Sequence, residues 1–206
     1  MSTLRIETVS EPFAGDSELM SLAIDMLTLM EAMGLLADEA EITSLDADAI
    51  AMLARAAGRA GLAPRAVAEL QAGGSRGRRR AIVQLRDALL ASPLPEYEWG
   101  SMTAALGVER LAGLLGVAEA SLRRYASGVR TTPDDVAARL HLLARVTGYL
   151  RGGYNEIGIR RWFQRPRRSL GGETPEAFLG PDWSPDDERS TAVLELARAL
   201  TSSPAT

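Results

Sequence analysis

Cysteine is absent from the 206-residue chain, which excludes a disulfide framework, a thiolate nucleophile and cysteine-bound zinc. Lysine is absent too, so all 23 basic residues are arginine. A lysine-free chain rich in alanine and arginine is what a GC-rich genome encodes, and the identity of the basic residue carries no functional argument. Histidine occurs once, at His141, with no second histidine to share a metal. It reads as a helix-packing or surface histidine, and no metal is expected. Long hydrophobic runs are also missing. The most apolar stretch, Leu19 to Leu36, is broken by Asp25 and Glu31 and reads as a buried helix, not a membrane span. Met1 to Glu11 carries Glu7 and Glu11 and lacks a basic segment ahead of an apolar one, so no signal peptide is expected. These absences point to a cytoplasmic protein without membrane contact.

Charge is present but segregated. The formal net charge is −4, yet residues 1–74 hold 4 Arg against 12 acids and residues 171–206 hold 2 Arg against 7. Residues 75–170 between them hold 17 Arg against 8 acids, a net of +9. The acidic average argues against a nucleic-acid partner, whereas the middle segment argues for one.

Apolar residues recur at helical spacing with Pro and Gly as punctuation, and nothing reads as a run of strands. The expectation is an all-α chain. Leu19, Leu22, Met26, Leu29, Met30 and Met33 share one side of a helix over 17–36. That face either mediates self-association or packs on the helices that follow. Ser44 can cap a second helix to about Ala60, and Pro64 opens a third that fades at Gly73-Gly74. The run Gly73-Gly74-Ser75-Arg76-Gly77-Arg78-Arg79-Arg80 is expected to be a flexible basic joint. Thr132-Pro133-Asp134-Asp135, Thr174-Pro175-Glu176 and Ser184-Pro185-Asp186-Asp187 each carry helix-start chemistry. The expected division is a helical N-terminal region over 1–74, a central DNA-binding domain over 75–150 and a small helical C-terminal domain over 151–206.

The most informative segment runs from Glu109 to Tyr125. Two short helices crossing steeply need a small residue where their backbones approach, and Ala112 stands there. The turn needs a residue at ease with positive φ, and Gly116 supplies it. Leu111, Leu115, Val117, Leu122 and Tyr125 then fall on the inner face. Glu119, Ala120, Ser121, Arg123 and Arg124 are left on the outer face of the second helix, the face a recognition helix turns into the major groove. Arginine there pairs bidentately with guanine or clamps phosphate. Ser121 and Arg130 suit phosphate contacts. Ala118 stands where the second helix usually opens on Ser or Thr, so a side-chain cap is missing. The plain alternative is an αα-hairpin with no role on DNA.

Downstream, Asn155 can cap a helix that must stop before Pro166. Trp162 and Phe163 are adjacent and are expected not to face one core together. Arg160, Arg161, Arg165, Arg167 and Arg168 surround them. Aromatic residues mixed with arginine are what protein interfaces use as anchors, although the aromatics alone can close a small core. The run Arg161-Trp162-Phe163-Gln164-Arg165-Pro166, followed by Leu170-Gly171-Gly172, Thr174-Pro175-Glu176 and Leu179-Gly180, resembles the C-terminal domain of Xre/MbcA/ParS-type antitoxins. The resemblance covers roughly residues 97–200. It implies a cognate RES-domain toxin that consumes NAD, blocked by the antitoxin's C-terminal region. It also implies an operon repressed through the helix-turn-helix. Trp162, Phe163, Arg165 and Pro166 match the motif, as scaffold or as toxin contacts.

The glycine pairs at 73–74, 152–153 and 171–172 follow no strand, so phosphate-loop readings fail. The acid pairs are explained by helix capping. No catalytic residue and no cofactor is expected. Three functions then compete: a toxin-neutralising repressor, a stand-alone helix-turn-helix regulator without a toxin, and an interaction protein with a vestigial helix-turn-helix. One recognition helix spans few base pairs, so operator DNA should be bound by a homodimer. Partner binding by the acidic tail should be separable from DNA binding.

Overall fold

The computed structural model describes residues 4–37, 39, 41–72 and 77–201. The chain is all-α: eleven α-helices accompany a single two-stranded ladder among the described residues. No helix among them is long and apolar enough to cross a membrane. Two compact units divide the chain, Met1–Glu31 with Leu35–Ser92, and Ala32–Gly34 with Pro93–Thr206. The division thus falls at Ser92–Pro93, where the sequence placed boundaries at 74/75 and 150/151. Residues 73–76 of the expected basic joint lie outside the described residues.

In the first unit, strand β1 (Leu4–Val9) and strand β2 (Ile42–Leu45) pair in parallel, and helix α1 (Ser17–Ala32) lies in the connection between them. The ladder was not expected. Its strands are short, and the register slips between Leu4 and Thr8, so neither offers the long alternation that betrays a strand. Ser44, expected as a cap, pairs with Thr8 in the ladder. Asp46 takes its place, its carboxylate accepting from the Ala49 N–H at 2.9 Å at the start of helix α2 (Ala47–Arg59). Helix α3 (Pro64–Gln71) opens on proline, and helix α4 (Arg78–Ala91) completes the unit. Met26, Met30 and Met33 of the N-terminal apolar face are fully buried, and Leu19 and Leu29 nearly so. Most of that face is thus covered within the chain, while Leu22 stays half-exposed.

The second unit is built on helix α5 (Pro95–Leu106), which packs against helices α6 (Val108–Leu115), α7 (Glu119–Ala126), α8 (Asp134–Arg151) and α9 (Glu156–Gln164). A 3-10 turn at Arg168–Leu170 and helix α10 (Pro175–Leu179) lead to helix α11 (Glu188–Thr201), which lies along α8. Residues 151–201 are thereby part of the same unit as the helix-turn-helix. Helix α5 was not anticipated, although Pro95 at its first position and Glu96 and Glu98 in its first turn are start signals. Two caps stand as expected: Asn155 accepts from the Gly158 N–H at 2.9 Å and Thr174 from the Ala177 N–H at 3.1 Å. Thr132 does not cap α8. Its hydroxyl accepts the Trp99 indole N–H at 3.0 Å, while Pro133 occupies the cap without a side-chain bond. Helix α11 starts at Glu188, after a turn in which the Asp187 carboxylate accepts from the Ser184 N–H at 2.7 Å.

Candidate nucleic-acid interface

Helix α6 ends at Gly116, whose backbone is left-handed (φ 69°, ψ 29°), and α7 begins three residues later. A side chain at 116 would be strained by that φ alone. Leu111, Ala112, Leu115, Leu122 and Tyr125 are buried as the spacing requires. Val117 is only half-buried, because it sits in the turn itself. Ala118 caps α7 without a side-chain hydrogen bond.

The opposite side of α7 faces solvent. Ala120, Arg123 and Arg124 are exposed, and Glu119 and Ser121 are half-exposed. The Arg123 guanidinium donates to the Glu119 carboxylate one turn back at 2.8 Å. Arg124 makes no ion pair among the described residues, which leaves its charge available to an anion. Arg130, also exposed, stands in the loop after α7 with its guanidinium 5.4 Å from the Tyr125 ring centroid. Tyr125 in turn stacks on Trp99 at 6.0 Å. A column of Arg130, Tyr125 and Trp99 therefore ties the loop to α5. The six sequence-chosen residues form two groups, Glu119 to Arg124 on one helix face and Arg130 on an adjoining, aromatic-backed loop.

The second set of chosen residues fares differently. Trp162 and Phe163 are 1 % and 0 % exposed, with their rings in edge-to-face contact at 5.1 Å. The expectation that adjacent aromatics could not share a core is corrected here. Helix α9 packs against α5, α8 and α10, so more than one of its sides is covered. Arg160 is half-exposed and donates to the carbonyls of Ala105 at 2.8 Å and Ala104 at 2.7 Å, closing the C-terminal end of α5. Arg167 lies 5.3 Å from the Trp162 ring centroid. Arg161, Arg165 and Pro166 remain exposed.

Sequence reasoning also missed a buried pair. His141 Nδ1 lies 2.6 Å from Glu98 Oε1, joining α8 to α5. Glu98 is fully buried, and among the described residues its second oxygen has no hydrogen-bond partner. Burial pushes the Glu98 carboxyl above its ordinary value, and the bond to His141 only partly offsets this. His141 sits between Leu140 and Leu142, and Glu98 between Tyr97 and Trp99, so apolar or aromatic neighbours on both sides were the available signal. No protein-family model, curated protein or solved structure matches the chain.

Proposed function

We propose that this chain is a cytoplasmic helix-turn-helix antitoxin. In this reading α7 enters the major groove of its own operator, the protein binds as a homodimer, and the C-terminal half of the second unit neutralises a RES-domain toxin that consumes NAD. The DNA-binding half is carried by one observation: a short helix, a left-handed Gly116 and a second helix that turns Arg123 and Arg124 outward. The toxin-binding half rests on the order of Arg161-Trp162-Phe163, Pro166, Leu170-Gly171 and Thr174-Pro175. Since Trp162 and Phe163 are buried, direct contact with a partner falls to Arg161, Arg165 and Pro166, with the aromatics as scaffold.

A labelled duplex from the region upstream of the reading frame tests the first half. Binding should weaken steeply as salt rises, because arginine–phosphate contacts release counterions. An Arg123→Ala/Arg124→Ala double variant that retains wild-type affinity would sink the assignment of α7. Co-expression with the neighbouring gene product, scoring growth and NAD level, tests the second. One observation favours a stand-alone regulator instead: the segment from α10 to α11 is folded onto the helix-turn-helix scaffold, α11 against α8 and Trp183 against the end of α6. Lack of an adjacent RES reading frame would decide for that alternative.

A further inference from the structure

The last four carbonyls of a helix have no partner within it. In α6 two of them are closed locally, Gly113 by the Gly116 N–H at 3.2 Å and Ala112 by the Val117 N–H at 3.0 Å. The other two are closed from far along the chain. The Leu114 carbonyl accepts the Trp183 indole N–H at 2.7 Å in a buried setting, and the Leu115 carbonyl accepts the Arg139 guanidinium at 3.1 Å. Arg139 itself lies 5.9 Å from the Trp183 ring centroid. A β-carbon at Gly116 would stand 3.1 Å from the Pro181 carbonyl oxygen and 3.3 Å from Arg139 Nη1. Glycine at the turn is therefore demanded twice, by its φ and by the segment pressed against it.

That segment is held by buried contacts. Trp183 is 2 % exposed, and the Ser190 hydroxyl lies within hydrogen-bond reach of the carbonyls of Ser184, Pro185 and Asp187. Val193 and Ala197 fix the helix that follows by being fully buried.

We infer that Trp183 is a positioning residue for α7, making the docked C-terminal segment and the angle of the helix-turn-helix one coupled state. Withdrawing the indole leaves the Leu114 carbonyl buried without a donor, removes the surface under Arg139 and frees Gly116 to change its backbone. An occupant that engages the 180–189 loop and draws Trp183 out thereby loosens α7. By reciprocity, an occupant that holds α7 in place resists that withdrawal. The consequence for DNA rests on α7 being the recognition helix, whereas the capping itself does not.

The test is residue-resolved amide hydrogen exchange on the full chain carrying Trp183→Phe, which keeps an aromatic ring and removes the indole N–H donor together with part of the buried ring. The Val117, Ser121 and Leu122 amides, bonded to the Ala112 and Ala118 carbonyls, should exchange about tenfold faster relative to the amides of α9. Equal acceleration in α7 and α9, or none in either, overturns the inference, since both are what a general packing role gives. Should Trp183→Phe unfold the unit, Arg139→Met decides by the same comparison, because it keeps the indole and removes the Leu115 donor. A parallel titration uses the labelled upstream duplex. Faster α7 exchange in a protein whose wild type ignores that duplex upholds the coupling and rejects the DNA reading.

Discussion

Replacing His141 with Gln should turn Glu98 into a lone buried acid and make the stability of the second unit strongly dependent on pH. In the native protein the imidazole bonds Glu98 Oε1 at 2.6 Å, while Oε2 is buried without a partner among the described residues. Burial is the largest influence on this carboxyl and raises its pKa above the ordinary value of 4.5, while the hydrogen bond and charge of His141 act the other way. Removing the imidazole therefore raises it further. The sign follows from proton counting. Above pH 4.5 the unfolded chain releases the Glu98 proton while the folded unit retains it, so stability falls as pH rises. The slope approaches about 1.4 kcal/mol per pH unit and levels off once the folded carboxyl ionises. Urea unfolding followed by tryptophan fluorescence suits the assay, because all three tryptophans, Trp99, Trp162 and Trp183, lie in the second unit. Subtracting the profile of a His141→Gln/Glu98→Gln double variant isolates Glu98 from every other titrating group. A flat difference as pH rises from 4.5 would refute the reasoning.

Trp162→Ala should cost about 3–5 kcal/mol in urea unfolding, since a fully packed indole leaves a cavity, and a loss below about 1 kcal/mol would contradict its place in the core. Deleting residues 184–206 should abolish cooperative unfolding of the second unit together with duplex binding. That outcome reverses the sequence expectation of a separable tail, and a truncated chain with wild-type duplex affinity would restore it. Gly116→Ala should destabilise by more than about 1 kcal/mol, because φ is positive and the space beyond is occupied. Arg124→Ala should weaken upstream-duplex binding by about 1–3 kcal/mol if it reads a base. Arg123→Ala should weaken it less, because part of its charge is already spent on Glu119.

What could be read from the chain was local. Asn155 and Thr174 cap their helices because the bond spans three residues, and Gly116 marks the turn through its own φ. The outward face of α7 likewise follows from spacing within eight residues. What could not be read depends on neighbours distant in sequence. Trp162 and Phe163 are both buried because α5, α8 and α10 close on one short helix. Thr132 fails to cap because Trp99, 33 residues earlier, takes its hydroxyl. Ser44 fails because a strand at the other end of α1 claims its backbone. In each case the residue has the chemistry expected of it, and a remote partner uses that chemistry first.

The bond from Trp183 to Leu114 spans 69 residues, and it gives the molecule a chronology. On the ribosome, α6 and α7 leave the exit tunnel well before the residue that closes α6. At about 5–20 residues per second, that interval lasts roughly 3–14 s. During it the nascent helix-turn-helix exists without its final geometry. If α7 is the recognition helix proposed above, a chain that stalls or is cleaved before residue 183 should be silent on DNA.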